Sequence, residues 1–243
     1  GGLSQRLGGG IKPLAPIGPH NEPLLEISLQ QSLPAYFSKI IFIVSPVTIK
    51  AYQHHFGSHY QGIPIEYTLQ TYDSSKRDKP WGTADALCAA IPFLNTPSII
   101  CNEDDLYGSS SFEQAKNFLE QTEENLVIGY ELKEVVPTKG AVNRAIIQTD
   151  TKEKISDIHE EFNITLEKIE KRELRGNALC SMNFFGIQPI LLPEIQRKVQ
   201  QFKKENRNNR TKECLLPEVI NILIHKGTAF RVLPAHERWI GIT

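Results

Sequence analysis

The first thirteen residues combine glycines with two cationic side chains. Arg6 and Lys12 lie on a segment that also carries Gly1, Gly2, Gly8, Gly9 and Gly10. Glycine permits positive φ angles and a close approach of the backbone to a ligand, while arginine and lysine donate hydrogen bonds to phosphate oxygens. The segment therefore predicts a polyphosphate-binding loop. A flexible tail or tag remnant would have a similar composition, but the residues that follow have the spacing of a turn and an amphipathic helix.

A second candidate is the acidic turn at residues 102–108. Glu103, Asp104 and Asp105 follow an apolar run that predicts a strand. Ligands bind beyond the carboxyl ends of strands in open α/β sheets, and adjacent carboxylates repel each other unless a cation lies near them. Mg²⁺ binds one or two carboxylates together with nucleotide phosphates. The turn fits a Mg²⁺ or Mn²⁺ site, and it fits equally a plain strand-to-helix turn in which Asp and Asn act as caps.

An alternation of strands and helices must position these segments. The predicted strands span residues 39–45, 63–69, 97–101, 126–130 and 179–187, and residues 142–160 predict antiparallel strands. The predicted helices span residues 23–37, 47–56, 83–93, 111–120, 190–204 and 215–225, while residues 161–177 fit either a charged helix or a mobile excursion. Such alternation favours right-handed βαβ units. We therefore predict one α/β domain over residues 1–243, with a mainly parallel, doubly wound mixed sheet and helices on both faces.

Composition argues against several classes of function. The 243 residues carry a net charge of -1, which gives no general electrostatic reason to bind nucleic acid or an anionic membrane. A basic cluster near the end of the chain lacks the interleaved aromatic residues that stack on bases, so we interpret it as a solvated loop. The longest apolar run, residues 40–44, is too short to span a bilayer. We expect a cytoplasmic protein that binds neither nucleic acid nor membranes.

The glycine-rich segment resembles the signature of the sugar-phosphate nucleotidyltransferases, a family with a Rossmann-like fold of the GT-A type. Gly2-Leu3-Ser4-Gln5-Arg6 followed by Lys12-Pro13 is similar to the family pattern Gly-x-Gly-Ser/Thr-Arg and Lys-Pro, with Ser4 and Gln5 as departures. The resemblance implies that Gly2, Leu3 and Ser4 contact the nucleotide and that Arg6 and Lys12 hold its triphosphate. It also implies that the first strand of the fold is missing, because the sequence begins inside the motif.

A second motif, Pro80-Trp81-Gly82-Thr83-Ala84, resembles the Gly-Thr-Ala segment with which this family grips the nucleobase. Glycine followed by a hydroxyl residue at a helix start offers backbone N–H and C=O groups and a side-chain donor at fixed positions. The resemblance implies base contacts from Gly82 and Thr83, with Gln70 as a further candidate. Trp81 fits either stacking on the base or packing in the fold. A compact pocket there predicts uridine or cytidine nucleotides over purine nucleotides.

The acidic turn is the third match, because the family has Asn-Gly/Ala-Asp there with the aspartate as a metal ligand. The resemblance assigns the ligand to Asp104 and keeps Asp105 in reserve. Relatives add a second aspartate in a Trp-x-Asp segment, but Gly241 stands at that position of Trp239-Ile240-Gly241. Glu237 is the nearest carboxylate that could substitute. One carboxylate holds Mg²⁺ more weakly than two, which predicts an unusually high magnesium requirement.

Weaker matches concern the acceptor, which is the phosphorylated molecule that receives the nucleotide in this family. Gly140-Ala141-Val142-Asn143-Arg144 resembles a Gly-x-Val-x-Arg segment of the family, Glu160 falls where an acidic residue holds a sugar hydroxyl, and Asn183 falls on a strand with a further acceptor contact. The resemblance therefore implies that Gly140, Glu160 and Asn183 bind the acceptor. Glu161 stands where a lysine often binds the acceptor phosphate, so the acceptor is left open.

The sequence thus predicts a magnesium-dependent nucleotidyltransferase. It would transfer NMP from a nucleoside triphosphate to a sugar 1-phosphate or a similar phosphorylated alcohol and release pyrophosphate. Two alternatives remain. One is a nucleotide-binding regulatory or scaffold protein of the same fold, which Ser4, Gln5 and Glu161 favour. The other is a glycosyltransferase of similar architecture, although Asp104-Asp105 lacks the spacer of an Asp-x-Asp pair. The sequence leaves the oligomeric state open.

Overall fold

The computed structural model describes residues 11–171 and 174–241. Within these residues the helices are α1 (Leu24–Ser32), α2 (Ile49–Phe56), α3 (Thr83–Ala90), α4 (Ser109–Gln121), α5 (Leu166–Glu170), α6 (Leu192–Glu205) and α7 (Leu216–Ile224). The strands are β1 (Ile40–Val44), β2 (His59–Tyr60), β3 (Ile63–Leu69), β4 (Ser98–Ile100), β5 (Asp105–Leu106), β6 (Asn125–Glu131), β7 (Val142–Thr149), β8 (Ile155–Ile164), β9 (Leu179–Ile187), β10 (Phe230–Pro234) and β11 (Ile240–Gly241). The predicted mixed α/β fold is confirmed.

The chain divides into two compact units. The first contains the described residues up to Thr96 together with Pro189–Val219, and the second contains Pro97–Gln188 and the described residues from Ile220 onwards. The sequence-based prediction of a single domain over residues 1–243 stays a prediction. Within the part of the chain that the structure describes, no helix is both long and apolar enough to cross a membrane.

The first unit is built around a three-stranded sheet in the order β1-β3-β2. The run Ile40–Val44 is apolar and β-branched, which suits a buried strand, and it pairs in parallel with β3 so that Ile40 lies opposite Ile65. Phe42 and Val44 pack with side chains of both α1 and α2, including Leu25, Leu29, Tyr52 and Phe56. This core fixes the carboxyl end of β3, where Gln70 follows.

The second unit is built around a six-stranded sheet in the order β10-β6-β9-β7-β8, with β4 also paired to β9. β6 is buried along almost its whole length, and it pairs in parallel with β10 on one side and antiparallel with β9 on the other. A separate two-stranded pair joins β5 to β11. The sheet and this pair position the acidic turn and the strands that carry Glu160 and Asn183.

The strand pairing differs from the sequence-based prediction in one respect. Two pairs are parallel, β1 with β3 and β6 with β10, whereas six are antiparallel. The predicted predominance of parallel pairs is therefore not found among the described strands. The physical reason is the short connection between β7 and β8, which permits only a hairpin, and the insertion of β9 antiparallel between β6 and β7.

Candidate functional site

Only part of the predicted phosphate loop lies in the described residues. Gly2, Leu3, Ser4 and Arg6 lie outside them, so their predicted roles stay predictions. Lys12 begins a 3₁₀ turn, Lys12–Leu14, in which Pro13 is buried. Ile11 and Leu14 on either side pack against the core of the first unit. Lys12 is therefore held on an ordered segment, as a phosphate-binding lysine requires, and not on a loose tail.

Gln70 lies at the end of β3 with its amide in a defined orientation. Its Nε2 donates hydrogen bonds to the backbone oxygen of Gly82 at 2.9 Å and to Oδ2 of Asp85 at 3.0 Å. A carbonyl and a carboxylate only accept hydrogen bonds, so the atom facing both must be the nitrogen. The carbonyl oxygen Oε1 is thereby left as an acceptor for another group. The structure brings two of the predicted base-binding residues, Gln70 and Gly82, into direct contact.

Gly82 and Thr83 form the start of α3 and also serve the fold. Gly82 has a φ of +100°, and a Cβ there would lie 2.6 Å from the backbone oxygen of Cys214. Thr83 is exposed, and its hydroxyl oxygen accepts a hydrogen bond from the N–H of Leu216 at 2.9 Å. The hydroxyl hydrogen of Thr83 can still be donated to a ligand. Glycine is required at this helix start by packing alone, whatever the ligand.

Trp81 packs in the fold, one of the two possibilities that the sequence left open. The guanidinium carbon of Arg77 lies 3.5 Å from the centre of its ring, and the ring of Phe202 lies edge-on at 6.3 Å. Arg77 is only 2% exposed and donates hydrogen bonds to four backbone oxygens, those of Lys79, Pro80, Asn209 and Lys212. Two connecting segments are thus fixed beside Trp81.

Sequence reasoning missed two residues behind the predicted base contacts. Asp85 is 6% exposed, and it accepts the amide of Gln70 with one oxygen and forms an ion pair with Lys203 of α6 through the other. A carboxylate on the otherwise apolar buried side of α3 was the signal for Asp85. No sequence signal linked Lys203 to Asp85, because the two are far apart in the chain. Together they fix the orientation of Gln70.

The acidic turn separates its two aspartates by environment. Asp105 is 7% exposed and accepts hydrogen bonds from Nδ2 of Asn102 at 2.8 Å and from the hydroxyl of Tyr107 at 3.1 Å. The same hydroxyl lies 2.9 Å from the backbone oxygen of Met182 and accepts the backbone N–H of Asn102. Asp104, by contrast, is partly exposed. Oδ2 of Asp105 is therefore committed to the fold.

Burial dominates the electrostatics of this turn. It raises the pKa of Asp105 above its ordinary value, although the hydrogen bonds from Asn102 and Tyr107 act in the opposite direction. The negative charge of Asp104 raises it further. Burial also raises the pKa of Tyr107 well above that of a free tyrosine, so this hydroxyl stays a neutral hydrogen-bonding group.

The position predicted for a second metal carboxylate lies opposite Asp105. In the antiparallel pair of β5 and β11, Gly241 is the partner of Asp105. Glu237, named from the sequence as a possible substitute ligand, instead binds the start of α4, because its Oε1 accepts the N–H of Ser110 at 2.7 Å. That hydrogen bond lowers the pKa of Glu237. Its carboxylate is therefore used in the fold.

The predicted acceptor residues lie on and around neighbouring strands of the second unit. Ala145 of β7 is the register partner of Glu160 on β8 and of Ser181 on β9. Asn183 follows on β9 with a φ of +62°, and its N–H donates to the hydroxyl of Ser181 at 3.2 Å. Gly140, with a φ of +92°, precedes β7. The structure thus places Glu160 and Asn183 on the two strands that flank β7.

One aspartate of the acidic turn could act as a magnesium ligand. Among residues 11–171 and 174–241, no three His, Cys, Asp or Glu side chains group closely enough to hold a metal ion. Asp104 offers a partly exposed carboxylate, and a hard ion such as Mg²⁺ can complete its shell with phosphate oxygens and waters. Asp104 is therefore the ligand candidate, and Asp105 supports the turn.

Comparisons with known proteins match residues 8–161 to a family model and nearly the whole chain to the fold of two solved structures. Residues 8–161 match the family model described as nucleotidyl transferase. A solved structure from Bacillus anthracis, described as a glucose-1-phosphate thymidylyltransferase in complex with sucrose, is similar with a TM-score of 0.66 at 17% identity, over 95% of this chain and 80% of that one. The inositol-1-phosphate CTP transferase from T. maritima is similar with a TM-score of 0.66 at 12% identity, over 99% and 83% of the two chains.

These two likenesses support the fold, and the family model supports the activity. No curated protein sequence matches the chain significantly. The matched residues 8–161 include Lys12, the helix start at Gly82 and the acidic turn. On this evidence the chain belongs to the nucleotidyltransferase family.

Proposed function

We propose that this enzyme transfers a nucleoside monophosphate from a nucleoside triphosphate to a phosphate monoester on a sugar or a similar alcohol. The observation that carries the proposal is the family match over residues 8–161. That range contains most of the described candidates for binding the nucleotide, the metal and the acceptor. The two structural neighbours are described as acting with glucose 1-phosphate and with inositol 1-phosphate, both of which are phosphate monoesters of a hydroxylated ring.

In the proposed reaction an oxygen of the acceptor phosphate attacks the α-phosphorus of the triphosphate. The bond between that phosphorus and the oxygen bridging to the β-phosphate breaks, and pyrophosphate leaves with the electron pair. The nucleophile is already anionic, so no Ser, Cys or His is needed to remove a proton. Catalysis then consists of positioning and charge stabilisation.

The chain's residues would divide this work between binding and orientation. Arg6 and Lys12 would hold the triphosphate, with Gly2, Leu3 and Ser4 beside it. Gln70, Gly82 and Thr83 would contact the base, and Gly140, Glu160 and Asn183 would hold the acceptor. Asp104 would hold Mg²⁺ or Mn²⁺, which, when bound, neutralises charge on the phosphates.

A pyrimidine nucleotide is proposed for the donor. Nε2 of Gln70 binds the backbone oxygen of Gly82, which directly precedes α3, so that Oε1 would accept a hydrogen bond from the base. The names of the structural neighbours, a thymidylyltransferase and a CTP transferase, also point to pyrimidines.

The test is release of pyrophosphate from a matrix of substrates. UTP, dTTP, CTP, ATP and GTP are each combined with glucose 1-phosphate, inositol 1-phosphate and phosphocholine in the presence of Mg²⁺. The same mixture without the acceptor phosphate is the blank. We expect turnover with one pyrimidine nucleotide, loss of that turnover in Asp104→Asn, and only partial loss in Asp105→Asn. If Asp105→Asn is inactive and Asp104→Asn is active, the ligand assignment is wrong. No pyrophosphate and no nucleotide binding with any pair would refute the proposed function.

A non-catalytic nucleotide-binding protein is the second candidate. The commitment of Asp105 to the fold, together with Gly241 opposite it, favours this reading because it leaves few carboxylates for a metal. The same matrix separates the two functions. Nucleotide binding by calorimetry without pyrophosphate release from any acceptor would support the second candidate.

A further inference from the structure

Strand β9 leaves its regular pairing with β6 around Asn183. Residues 182–184 of β9 lie between two register pairs and face a single residue of β6, Ile128. The two register pairs are Ser181 with Gly129 and Phe185 with Val127. Such a bulge redirects side chains and is common beside active sites. Asn183 has a φ of +62°, a left-handed conformation that persists in a residue with a Cβ where the surrounding groups hold it.

The peptide group between Met182 and Asn183 is held at both ends. Its oxygen, on Met182, accepts a hydrogen bond from the hydroxyl of Tyr107 at 2.9 Å. Its N–H, on Asn183, donates to the hydroxyl oxygen of Ser181 at 3.2 Å. The oxygen and the hydrogen of one peptide group lie in one plane. The two contacts together therefore fix that plane and restrict the φ of Asn183.

The ring of Tyr107 gives this hydroxyl little freedom. Tyr107 is 0% exposed, and its ring lies edge-on to the rings of Phe184 and Phe112, with centroid separations of 5.0 Å and 6.4 Å. The backbone oxygen of Tyr107 accepts hydrogen bonds from the hydroxyls of Ser111 at 2.7 Å and Tyr130 at 2.8 Å. The side chain and the backbone of Tyr107 are both fixed, so its hydroxyl is a rigid attachment point for β9.

The same hydroxyl also belongs to the acidic turn. It lies 3.1 Å from Oδ2 of Asp105 and accepts the N–H of Asn102 at 3.1 Å. A hydroxyl has one hydrogen, so donation to Met182 and donation to Asp105 compete. The turn keeps a further hydrogen bond of its own, from Nδ2 of Asn102 to Oδ2 of Asp105 at 2.8 Å. Loss of the hydroxyl would therefore release β9 more than it releases the turn.

We propose that Tyr107 is a positioning residue for the acceptor and that it acts through Asn183. Its hydroxyl attaches the bulge of β9 to the acidic turn, so one buried group positions both the strand that carries Asn183 and the turn that carries Asp104. Tyr107 itself does not touch the substrate. The inference rests on the proposed function, because it takes Asn183 as a contact to the acceptor.

Two measurements test the inference on Tyr107→Phe, which removes the hydroxyl and keeps the ring. The first is hydrogen exchange of the Asn183 amide, followed by NMR in the full chain without ligands. We expect exchange at least about tenfold faster, because the released carbonyl of Met182 lets the peptide group rotate. Ser181→Ala removes the hydrogen bond at the other end of the same peptide group and should have the same effect.

The second measurement is steady-state kinetics with the pair from the substrate matrix that releases pyrophosphate fastest. In Tyr107→Phe the KM for the acceptor should rise at least about fivefold, while the KM for the nucleotide stays within about twofold. Asn183→Ala should also raise the KM for the acceptor. Tyr107→Phe should add little to that rise in the double variant, because both substitutions act on the same contact.

Tyr130→Phe is the matched control. Tyr130 is 2% exposed, and its hydroxyl contacts the backbone oxygen of Tyr107 and the hydroxyl of Ser111. The substitution removes a buried hydroxyl of the same kind, so thermal unfolding should show a comparable loss of stability. The exchange of the Asn183 amide and the KM for the acceptor should stay close to those of the unmodified chain.

Several outcomes overturn the inference. It is wrong if folded Tyr107→Phe leaves the exchange of the Asn183 amide or the KM for the acceptor unchanged. It is also wrong if Tyr107→Phe raises the KM for the nucleotide as much, or if Tyr130→Phe has the same effects. If Tyr107→Phe does not fold, Ser181→Ala decides by the same two measurements.

Failure of the proposed function has a different signature. The unmodified chain would then release no pyrophosphate with any pair, although the exchange at Asn183 still responds to Tyr107→Phe. That result would refute the function and, with it, the acceptor role of Asn183 and Tyr107. Unchanged exchange at Asn183 would instead refute the positioning itself, whatever the turnover.

Discussion

Adjacent aspartates in the acidic turn have different environments. Asp104 lies in the turn that precedes β5 and is partly exposed, whereas Asp105 is the first residue of that strand and is buried. Sequence reasoning named both aspartates and placed Asp104 first, but it could not show that Asn102 and Tyr107 bind Oδ2 of Asp105. Those contacts depend on the turn closing on itself.

The environment of Asp105 leads to a pH-dependent prediction. Burial raises the pKa of this carboxyl in the folded chain, so above that pKa folding must bury a charge that the unfolded chain exposes to water. The folded chain binds more protons than the unfolded chain in this window, so the contribution of Asp105 to stability falls as pH rises. We expect the free energy of unfolding of the unmodified chain, relative to Asp105→Asn, to increase as pH is lowered from about 7 towards 4.

Denaturant unfolding at several pH values measures this difference. Glu113→Gln, on the exposed surface of α4, is measured in parallel as the control for the loss of one carboxylate. A difference between the unmodified chain and Asp105→Asn that stays constant with pH, or that decreases on acidification, would contradict the assignment of a raised pKa.

At the scale of elements, the start of α3 combines a backbone requirement with a close contact. Gly82 has a positive φ and its Cα faces the backbone of Cys214, whereas Gly227 has a φ of +94° and open space around it. Gly227→Ala should cost about 1 kcal/mol, the strain of the left-handed conformation alone. Gly82→Ala should cost about 2 kcal/mol more, because φ of +100° with ψ of -177° is a conformation that glycine alone adopts readily and because the new methyl group would overlap the backbone at residue 214.

Chemical denaturation of the two variants compares these costs directly. Gly82→Ala should also weaken nucleotide binding, since it shifts the carbonyl that holds the amide of Gln70. Equal destabilisation by the two substitutions would mean that the contact with Cys214 contributes nothing, and unchanged nucleotide affinity would count against a base site at this helix start.

Most elements could be predicted because their own residues determine them. The apolar runs at β1, β3 and β9 and the helical spacing of α2, α6 and α7 lie close to the predicted ranges. β10 was missed because it is short and carries Arg231, which pairs with Glu124, in its middle. Residues 161–164 were assigned to a charged segment, yet they continue β8. In both places strand pairing outweighed local composition, since β10 pairs with β6 and the end of β8 pairs with β7.

The candidate site was less predictable than the fold for the same reason. Gln70, Gly82 and Asp104 were predicted from local motifs, and their roles stay predictions. The contact between Asp85 and Lys203 was not predicted, because these two residues are linked only by tertiary structure. Glu237 shows the converse, since its place in the sequence suggested a metal ligand while its contact is with the backbone of α4.

For the whole molecule, the proposed function predicts that the donor nucleotide stabilises the folded chain. A ligand that binds only the folded state adds about 2.7 kcal/mol at one hundred times its dissociation constant. For a chain of this length that corresponds to a rise in melting temperature of about 5 to 10 °C. Scanning calorimetry with UTP, dTTP, CTP, ATP and GTP, each with Mg²⁺ and with a chelator, should show the larger shifts for a pyrimidine nucleotide and only with the metal. Equal shifts with ATP or GTP would reject the pyrimidine preference.

Arg6→Ala should reduce the shift in melting temperature that the donor nucleotide causes, because it removes a charge-assisted donor to the triphosphate. An unchanged shift in Arg6→Ala would reject the role of the glycine-rich segment in binding phosphate.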